Sequence, residues 1–450
     1  MVRFYSLILF VIFLSVNLDY VEAAVPDRTI LFIMDGLCVG APERIPLPNF
    51  QNLKKQGCYY EAVHVPLPAH PKDNKIYPHS CSVPNPVMMT GTILFRPGDQ
   101  MIQDVFEEKK TAFVTNSKSY LSVSKGFDIY HVIDQNPPAD DAPVVEKARD
   151  IIESEDPVFM RVHLQGPGRG GYDGSVDMNK DKPWYRNIWH TKSLYVRRMK
   201  KADRLLGEFV AWLEATGRMD KTVMIVTSDN GQTVTGGHPP YAPGSSTTPM
   251  LIFGPGIKKG RVFDYAEIID IVPTIAYIHQ ISPPENCEGR VLVESIVGAG
   301  KDTIPPDRYM ERLNNALLEQ HKLSCVVQDL PITIEEIAKW HERFKDMKTL
   351  VEYCEKISSA MKIIVDAGVT TPVFSPSSGA YSQEISVTIC CATDNALIRF
   401  TMDSSEPTEK STLYKEPIKI HKTTTIKAKA FKQDGVSSYI AVAEYIISTP

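Results

Sequence analysis

Past residue 24 the chain has no apolar run of membrane-spanning length: charged or turn-forming residues break every hydrophobic stretch within about ten residues, roughly half of what a spanning helix requires. An excess of one charge is missing too. The 49 Lys and Arg against 54 Asp and Glu leave a formal net charge of −5, which provides no electrostatic footprint for nucleic acid or an anionic membrane surface. No Asn-x-Ser/Thr acceptor occurs, so N-glycosylation is not expected. These absences leave an ordinary globular composition, 43% hydrophobic and 23% charged, in a chain of 450 residues. That length is too great for one ordinary core and predicts two or three domains.

Residues 1–24 differ from the rest. Arg3 precedes an apolar core from Phe4 to Val16, and Val21-Glu22-Ala23 supplies a small-residue cleavage site, so this stretch reads as a secretory signal peptide. The mature protein is therefore expected to be secreted or to reside in the lumen of the secretory pathway, with no membrane span once the signal is removed. All eight cysteines (Cys38, Cys58, Cys81, Cys287, Cys325, Cys354, Cys390 and Cys391) lie beyond it. An even count in an oxidising compartment permits disulfides, Cys325 with Cys354 among them, without revealing their connectivity.

Three further segments follow. Residues 25–300 alternate strand-like and helix-like stretches, which predicts an α/β domain with a largely parallel sheet covered by helices on both faces. Strand candidates include Thr29 to Met34, Thr111 to Thr115, Val158 to Leu164, Thr222 to Thr227 and Met250 to Phe253. Between Thr191 and Gly217, Met199, Ala202, Leu206, Phe209, Val210 and Leu213 recur at steps of three and four, the signature of an amphipathic helix. Residues 301–369 are charged and periodic, with one helix expected from Ile334 through Trp340 to Val351, and read as a helical connector. Residues 370–450 alternate with period two around Glu384 to Ile389, Ala396 to Thr401 and Thr424 to Phe431, which predicts a small β-sandwich.

Two strands carry the chemistry. Thr29 to Met34 runs into Asp35-Gly36, and Thr222 to Thr227 runs into Ser228-Asp229-Asn230-Gly231, with His238 close behind after a Gly-Gly pair. Ligands of open parallel sheets sit beyond the carboxyl ends of the strands, so two strand-end acids predict one shared site. A single strand-end Asp more often caps a helix or starts a turn. The pair, followed by a histidine, reverses that preference.

Asp35-Gly36, VTSDNG at Val226 to Gly231, Gly237-His238, LIFGPGI at Leu251 to Ile257 and DIVPTI at Asp270 to Ile275 together resemble the alkaline phosphatase and sulfatase superfamily over roughly residues 27–300. The resemblance implies a metal-dependent hydrolase of sulfate or phosphate esters with a side-chain nucleophile between the two acidic strands. Counting back from Thr90-Gly91, Cys81 stands where sulfatases carry the cysteine converted to formylglycine, although Val83 and Asn85 replace the Pro and Arg of that pattern. Shifted by one residue, Ser82-Val83-Pro84-Asn85 is similar to the nucleophile turn of nucleotide phosphodiesterases, which favours Ser82 and assigns Asn85 to a charged ester oxygen. Asp35, Asp229 and Asn230 are then metal ligands, and His238 is a ligand or an acid. Oxygen ligands suit Ca²⁺ or Mg²⁺, while the histidine tilts towards Zn²⁺ or Mn²⁺. A single ion is expected, because the loop after Leu164 lacks the Asp-x-x-x-His of two-metal relatives. Asp173, Asp177 or His190 are substitutes there, or the glycines form an anion cradle with Arg169, and in one reading His190, as substrate clamp.

The last segment, with Phe400 to Thr408 and Tyr414, resembles the small C-terminal β-sandwich of some chitobiases. Packing is its default role and glycan attachment the sharper one. The expected partner is a small-molecule or glycan ester; oligomeric state is not legible. A protein of a different class fits the same residues: a superfamily member that has lost catalysis and acts as an anionic-glycan-binding or adhesion protein.

Overall fold

The computed structural model describes residues 25–67, 83–96, 98–134, 140–299, 307–327, 339–433 and 436–447, with the side chains of 324–327 and 363–367 excepted. The signal segment, Cys81, Ser82, Ile334, Ile337 and the Cys325 side chain lie outside this set.

A single mixed sheet organises the first three hundred residues. Its strands are β1 (Arg28–Met34), β2 (Cys58–His64), β3 (Thr111–Thr115), β4 (Ile129–Val132), β5 (Phe159–Leu164), β6 (Thr222–Thr227), β7 (Thr247–Phe253), β8 (Arg261–Phe263) and β9 (Ala266–Glu267). They run in the order β4-β3-β5-β1-β6-β7-β2-β8, with β9 also on β2. The strands from β4 to β6 are parallel; β7 is antiparallel to both β6 and β2. All seven residues of β1 are buried, as a central strand covered on both faces requires.

The period of two divides the sheet cleanly. Ile30, Phe32, Met34, Met160, Val162, Leu164, Met224 and Val226 join one hydrophobic cluster, and Leu31, Ile33, Phe113, Phe159, Val223 and Ile225 join the other. In chain order the helices are α1 (Ala41–Arg44), α2 (Pro48–Gln56), α3 (Pro84–Thr90), α4 (Ala142–Glu155), α5 (Gly166–Val176), α6 (Leu194–Ala215), α7 (Ile271–Ile278) and α8 (Tyr309–Val327). The expected amphipathic helix is α6. Ser193 caps it by accepting from the Val196 N–H at 3.1 Å, and it buries Met199, Ala202, Leu206, Phe209, Val210 and Leu213. It covers the first face with α2 and α4; α3, α7, α8 and the helix Met347–Ala367 cover the second.

Two expectations are corrected. The helix predicted from Ile334 to Val351 is interrupted: Trp340–Arg343 forms a single turn, Phe344 is extended, and a new helix begins at Met347. The break lets Trp340 and Met347 both enter the core, and the Met347 N–H donates to Glu288 Oε1 at 2.8 Å. The disulfide framework is also absent among the described residues: the thiols of Cys38, Cys287, Cys354, Cys390 and Cys391 are free, so Cys354 staples nothing.

From Val373 onward a three-stranded sheet and a five-stranded sheet enclose a cluster of their own, built on Val387, Ile389, Ile420, Ile426, Ala428, Ala443 and Tyr445. Among the described residues no helix is long and apolar enough to cross a membrane.

Candidate active site

The two acids meet because parity carries them to the same face. Leu31, Ile33 and Asp35 alternate along β1 and its end, as Val223, Ile225, Thr227 and Asp229 do along β6. The adjacent β5 contributes Phe159, Arg161, His163 and then Gln165 by the same alternation. Asp35, Asp229 and His163 each place one potential ligand atom within 4.8 Å of the others, all buried.

Helix α3 closes this cluster. Pro84 suits the first helical turn, where an N–H would go unused, and Gly91, left-handed at φ 74°, ends the helix. Asn85 in that first turn donates from Nδ2 to Asp229 Oδ2 at 2.6 Å. Arg161 donates from Nη2 to Asn85 Oδ1 and lies 3.0 Å from His163 Nδ1. Its guanidinium is fully buried, 4.9 Å above the Phe113 ring and 5.6 Å from that of Tyr120. On the other acid, the Tyr120 hydroxyl lies 3.0 Å from Asp35 Oδ2 and 2.6 Å from Gln165 Oε1, while Gln165 Nε2 donates to Asp35 Oδ2. The Tyr120 and His163 rings stack at 4.0 Å.

Burial dominates the electrostatics. It raises the Asp35 carboxyl above its ordinary range against the opposing pull of His238, Tyr120, Gln165 and Asn230. Asp229 is raised by burial and then by Asp35, with His163, Asn85 and Arg161 opposing. Burial pushes the His163 imidazole down to about 3, despite Asp229. Two carboxylates held this close in a low-dielectric setting repel each other unless a cation or protons join them. Asp35 Oδ1 and Asn230 Oδ1 are buried acceptors with no hydrogen-bond partner. The residues therefore fit a hard divalent cation, whose natural ligands are such oxygens.

The other expected residues fall at varying distances from this cluster. Asn230 adjoins it, donating from Nδ2 to Asp229 Oδ1 at 3.0 Å. His238 is partly buried and close enough for its charge to act on Asp35, yet it is not one of the three clustered ligand groups. Arg169 is engaged by Asp173, Nε to Oδ1 at 2.7 Å, and Asp173 also holds Arg198. His190 accepts from the Lys192 N–H at 3.2 Å in the turn ahead of α6. Asp177 pairs with Lys182.

The Gly-rich stretch expected as a loop is helix α5, and its glycines serve close packing. A Cβ at Gly168 would lie 2.2 Å from Asp35 Oδ1, and one at Gly171 2.2 Å from Gln232 Oε1. Helix α5 can press against the acid only because that side is bare. Sequence reasoning missed Arg161, His163, Tyr120 and Gln165 as site residues. A signal existed in β5: an arginine and a histidine two apart, on one face of a strand otherwise apolar enough to be fully buried.

Residues 89–279 match the sulfatase family, and residues 376–442 match the chitobiase/beta-hexosaminidase C-terminal domain. The likeness to the sulfatase family covers less than half of the chain. Its matched stretch contains Asp229, Asn230 and His238 and begins after residues 81–85 and Asp35. Among curated relatives, arylsulfatase K of Gallus gallus is 29% identical over 125 residues, 27% of this chain and 23% of that protein. An arylsulfatase of Clostridium perfringens (strain 13 / Type A) is 34% identical over 116 residues, 23% of this chain and 24% of that protein. The chain thus spans about a quarter of the length of these relatives. A solved sulfatase candidate from Bacteroides thetaiotaomicron superposes with a TM-score of 0.50 at 12% identity, covering 63% of this chain and 77% of its own. The part of the chain so covered shares that fold.

Proposed function

We propose that this protein hydrolyses sulfate or phosphate esters, sulfate esters first, outside the cytosol and with one divalent cation held by Asp35, Asp229 and Asn230. The observation that carries the proposal is the buried meeting of Asp35 and Asp229, with Asp35 Oδ1 and Asn230 Oδ1 left without hydrogen-bond partners. The printed names of the curated relatives, arylsulfatases, favour sulfate. A dication at such a site supplies Lewis-acid charge to the ester oxygens and lowers the pKa of the attacking group. Ser82 or Cys81 is the attacking group, three or four residues before Asn85 in the chain. Asn85, its amide already oriented by Arg161 and Asp229, steadies a charged ester oxygen. His238 acts as a further ligand or as an acid at the rim. Arg169 and His190 are assigned to the outer edge of substrate binding, Arg169 only in so far as substrate displaces Asp173.

Metal content of the purified protein, combined with turnover of aryl sulfate, aryl phosphate and phosphodiester substrates, tests this reading. Ser82→Ala or Cys81→Ala should lose at least about a hundredfold in kcat, the scale of removing an activated nucleophile. If both variants match the parent, neither residue attacks. If no substrate turns over with Ca²⁺, Mg²⁺, Mn²⁺ or Zn²⁺, a protein that binds anionic glycans without hydrolysing them replaces this proposal.

A further inference from the structure

Arg161 is the largest fully buried side chain of the molecule's described residues, and nothing in the esterase chemistry above requires a guanidinium inside β5. A buried cation is costly unless neighbours compensate it, so its contacts are informative. One nitrogen, Nη2, faces two side chains of the site together: Asn85 Oδ1 and, at 3.0 Å, His163 Nδ1.

A guanidinium can only donate. The Nδ1 of His163 must then be the accepting nitrogen, and the proton of the neutral ring sits on Nε2. That nitrogen is buried without a hydrogen-bond partner, 3.7 Å from Asp35 Oδ2. A metal ligand needs a lone pair, which a protonated Nε2 does not offer. The same guanidinium settles the Asn85 amide: its oxygen faces Arg161, so its NH₂ faces Asp229. Stacking on Tyr120, whose hydroxyl is tied to Asp35 and Gln165, keeps the imidazole in plane.

We infer that Arg161 is a positioning residue that makes His163 an Nε2–H donor aimed at the acid pair and turns the Asn85 NH₂ toward Asp229, so that His163 offers an anionic ester oxygen a proton-bearing nitrogen instead of offering the cation a lone pair. The inference rests on the proposed ester hydrolysis for its substrate, but the histidine tautomer is independent of it. Asp35, His163 and Asp229 look like a three-ligand metal centre by distance alone; the direction of one hydrogen bond takes His163 out of the set.

Two-bond ¹H–¹⁵N correlation spectra of the cation-free protein labelled at histidine, with His163→Asn for assignment, test the tautomer directly. The Nε2–H pattern is expected; an Nδ1–H pattern overturns the inference whether or not any ester is hydrolysed. Calorimetric titration with Ca²⁺ and with Zn²⁺ is the second readout. His163→Asn should bind within about threefold of the parent, while Asp35→Asn weakens binding at least about tenfold, since loss of an outer-shell partner alone costs about 10–100-fold. Equal losses in the two variants would make His163 a ligand and sink the proposal. In kinetics, Arg161→Met should lower kcat about tenfold or more and Arg161→Lys recover part of it, the mark of positioning through a donated hydrogen bond. Should Arg161→Met fail to fold, the spectra of the parent still decide.

Discussion

At the scale of the residue, the site is a balance between burial and charge. Asp35 and Asp229 are both raised by desolvation, and each leans on neutral donors (Tyr120 and Gln165 for one, Asn85 for the other) that cannot neutralise it. A dication would do so, and replacing either acid by Asn should weaken cation binding at least about tenfold, since loss of an outer-shell partner alone costs about 10–100-fold; calorimetry measures it. Gly168 offers a subtler check. Ala in a helix interior ordinarily gains about 1 kcal/mol over Gly, but the added Cβ would stand 2.2 Å from Asp35 Oδ1. Overpacking of this kind costs about 1–3 kcal/mol, so the collision wins. Gly168→Ala should lower the Tm and weaken cation binding together, whereas a stabilised variant would show that α5 does not press on the acid.

At the scale of the element, the strands are held by helices whose apolar faces were written at 3.6-residue spacing. Phe209 of α6 meets Phe32 of β1 at 5.8 Å between ring centroids, and both are fully buried. Phe209→Ala should destabilise by about 3–5 kcal/mol, the cost of deleting a buried aromatic, read in denaturant titrations. The C-terminal end of α7 carries a pH dependence. His279 accepts or donates at 2.8 Å with the Thr29 hydroxyl, and burial pushes its imidazole down to about 4. Between about 4 and the unfolded value near 6.5 the unfolded chain takes up the proton that the folded ring refuses. Stability from this group is therefore complete above that window and is lost as pH falls through it. His279→Gln should show a shallower loss of Tm from pH 6.5 to 4 than the parent; an unchanged slope would assign the acid sensitivity elsewhere.

At the scale of the whole molecule, the C-terminal sandwich has a hydrophobic cluster of its own, whereas the helices before it share the cluster of the large sheet. Met310, Leu313, Leu317, Leu350 and Val351 belong to the same cluster as Val87, Ile225 and Val272, and Asn314 donates to the Val65 carbonyl at 2.8 Å while accepting from the Leu67 N–H at 3.0 Å. A chain ending at residue 369 should keep its main unfolding transition and its turnover of small esters, because the sandwich has its own core. A chain ending at residue 300 should not fold. Removing divalent cations should lower the Tm of the full protein by a few degrees, since a ligand at a hundred times its Kd stabilises by about 2.7 kcal/mol; no shift on chelation would remove the cation from the proposal.

The parts that local chemistry dictates were readable before any fold was known. The unbroken apolar runs Thr29 to Met34 and Thr222 to Thr227, each leading to an Asp, named the strands and placed both acids at one sheet edge, and the periodic residues of α6 and of the strand Thr424–Phe431 marked those elements correctly. The interruption before Met347, the helical state of the Gly-rich segment and the partners of Arg161 were decided only in three dimensions. Each depends on contacts between residues far apart in the chain: Glu288 on the Met347 N–H, Asp35 against Gly168, and Asn85 with His163 around one guanidinium. Periodicity reports which way a side chain faces, because that follows from backbone geometry. What it meets there is set by packing, which no local pattern encodes.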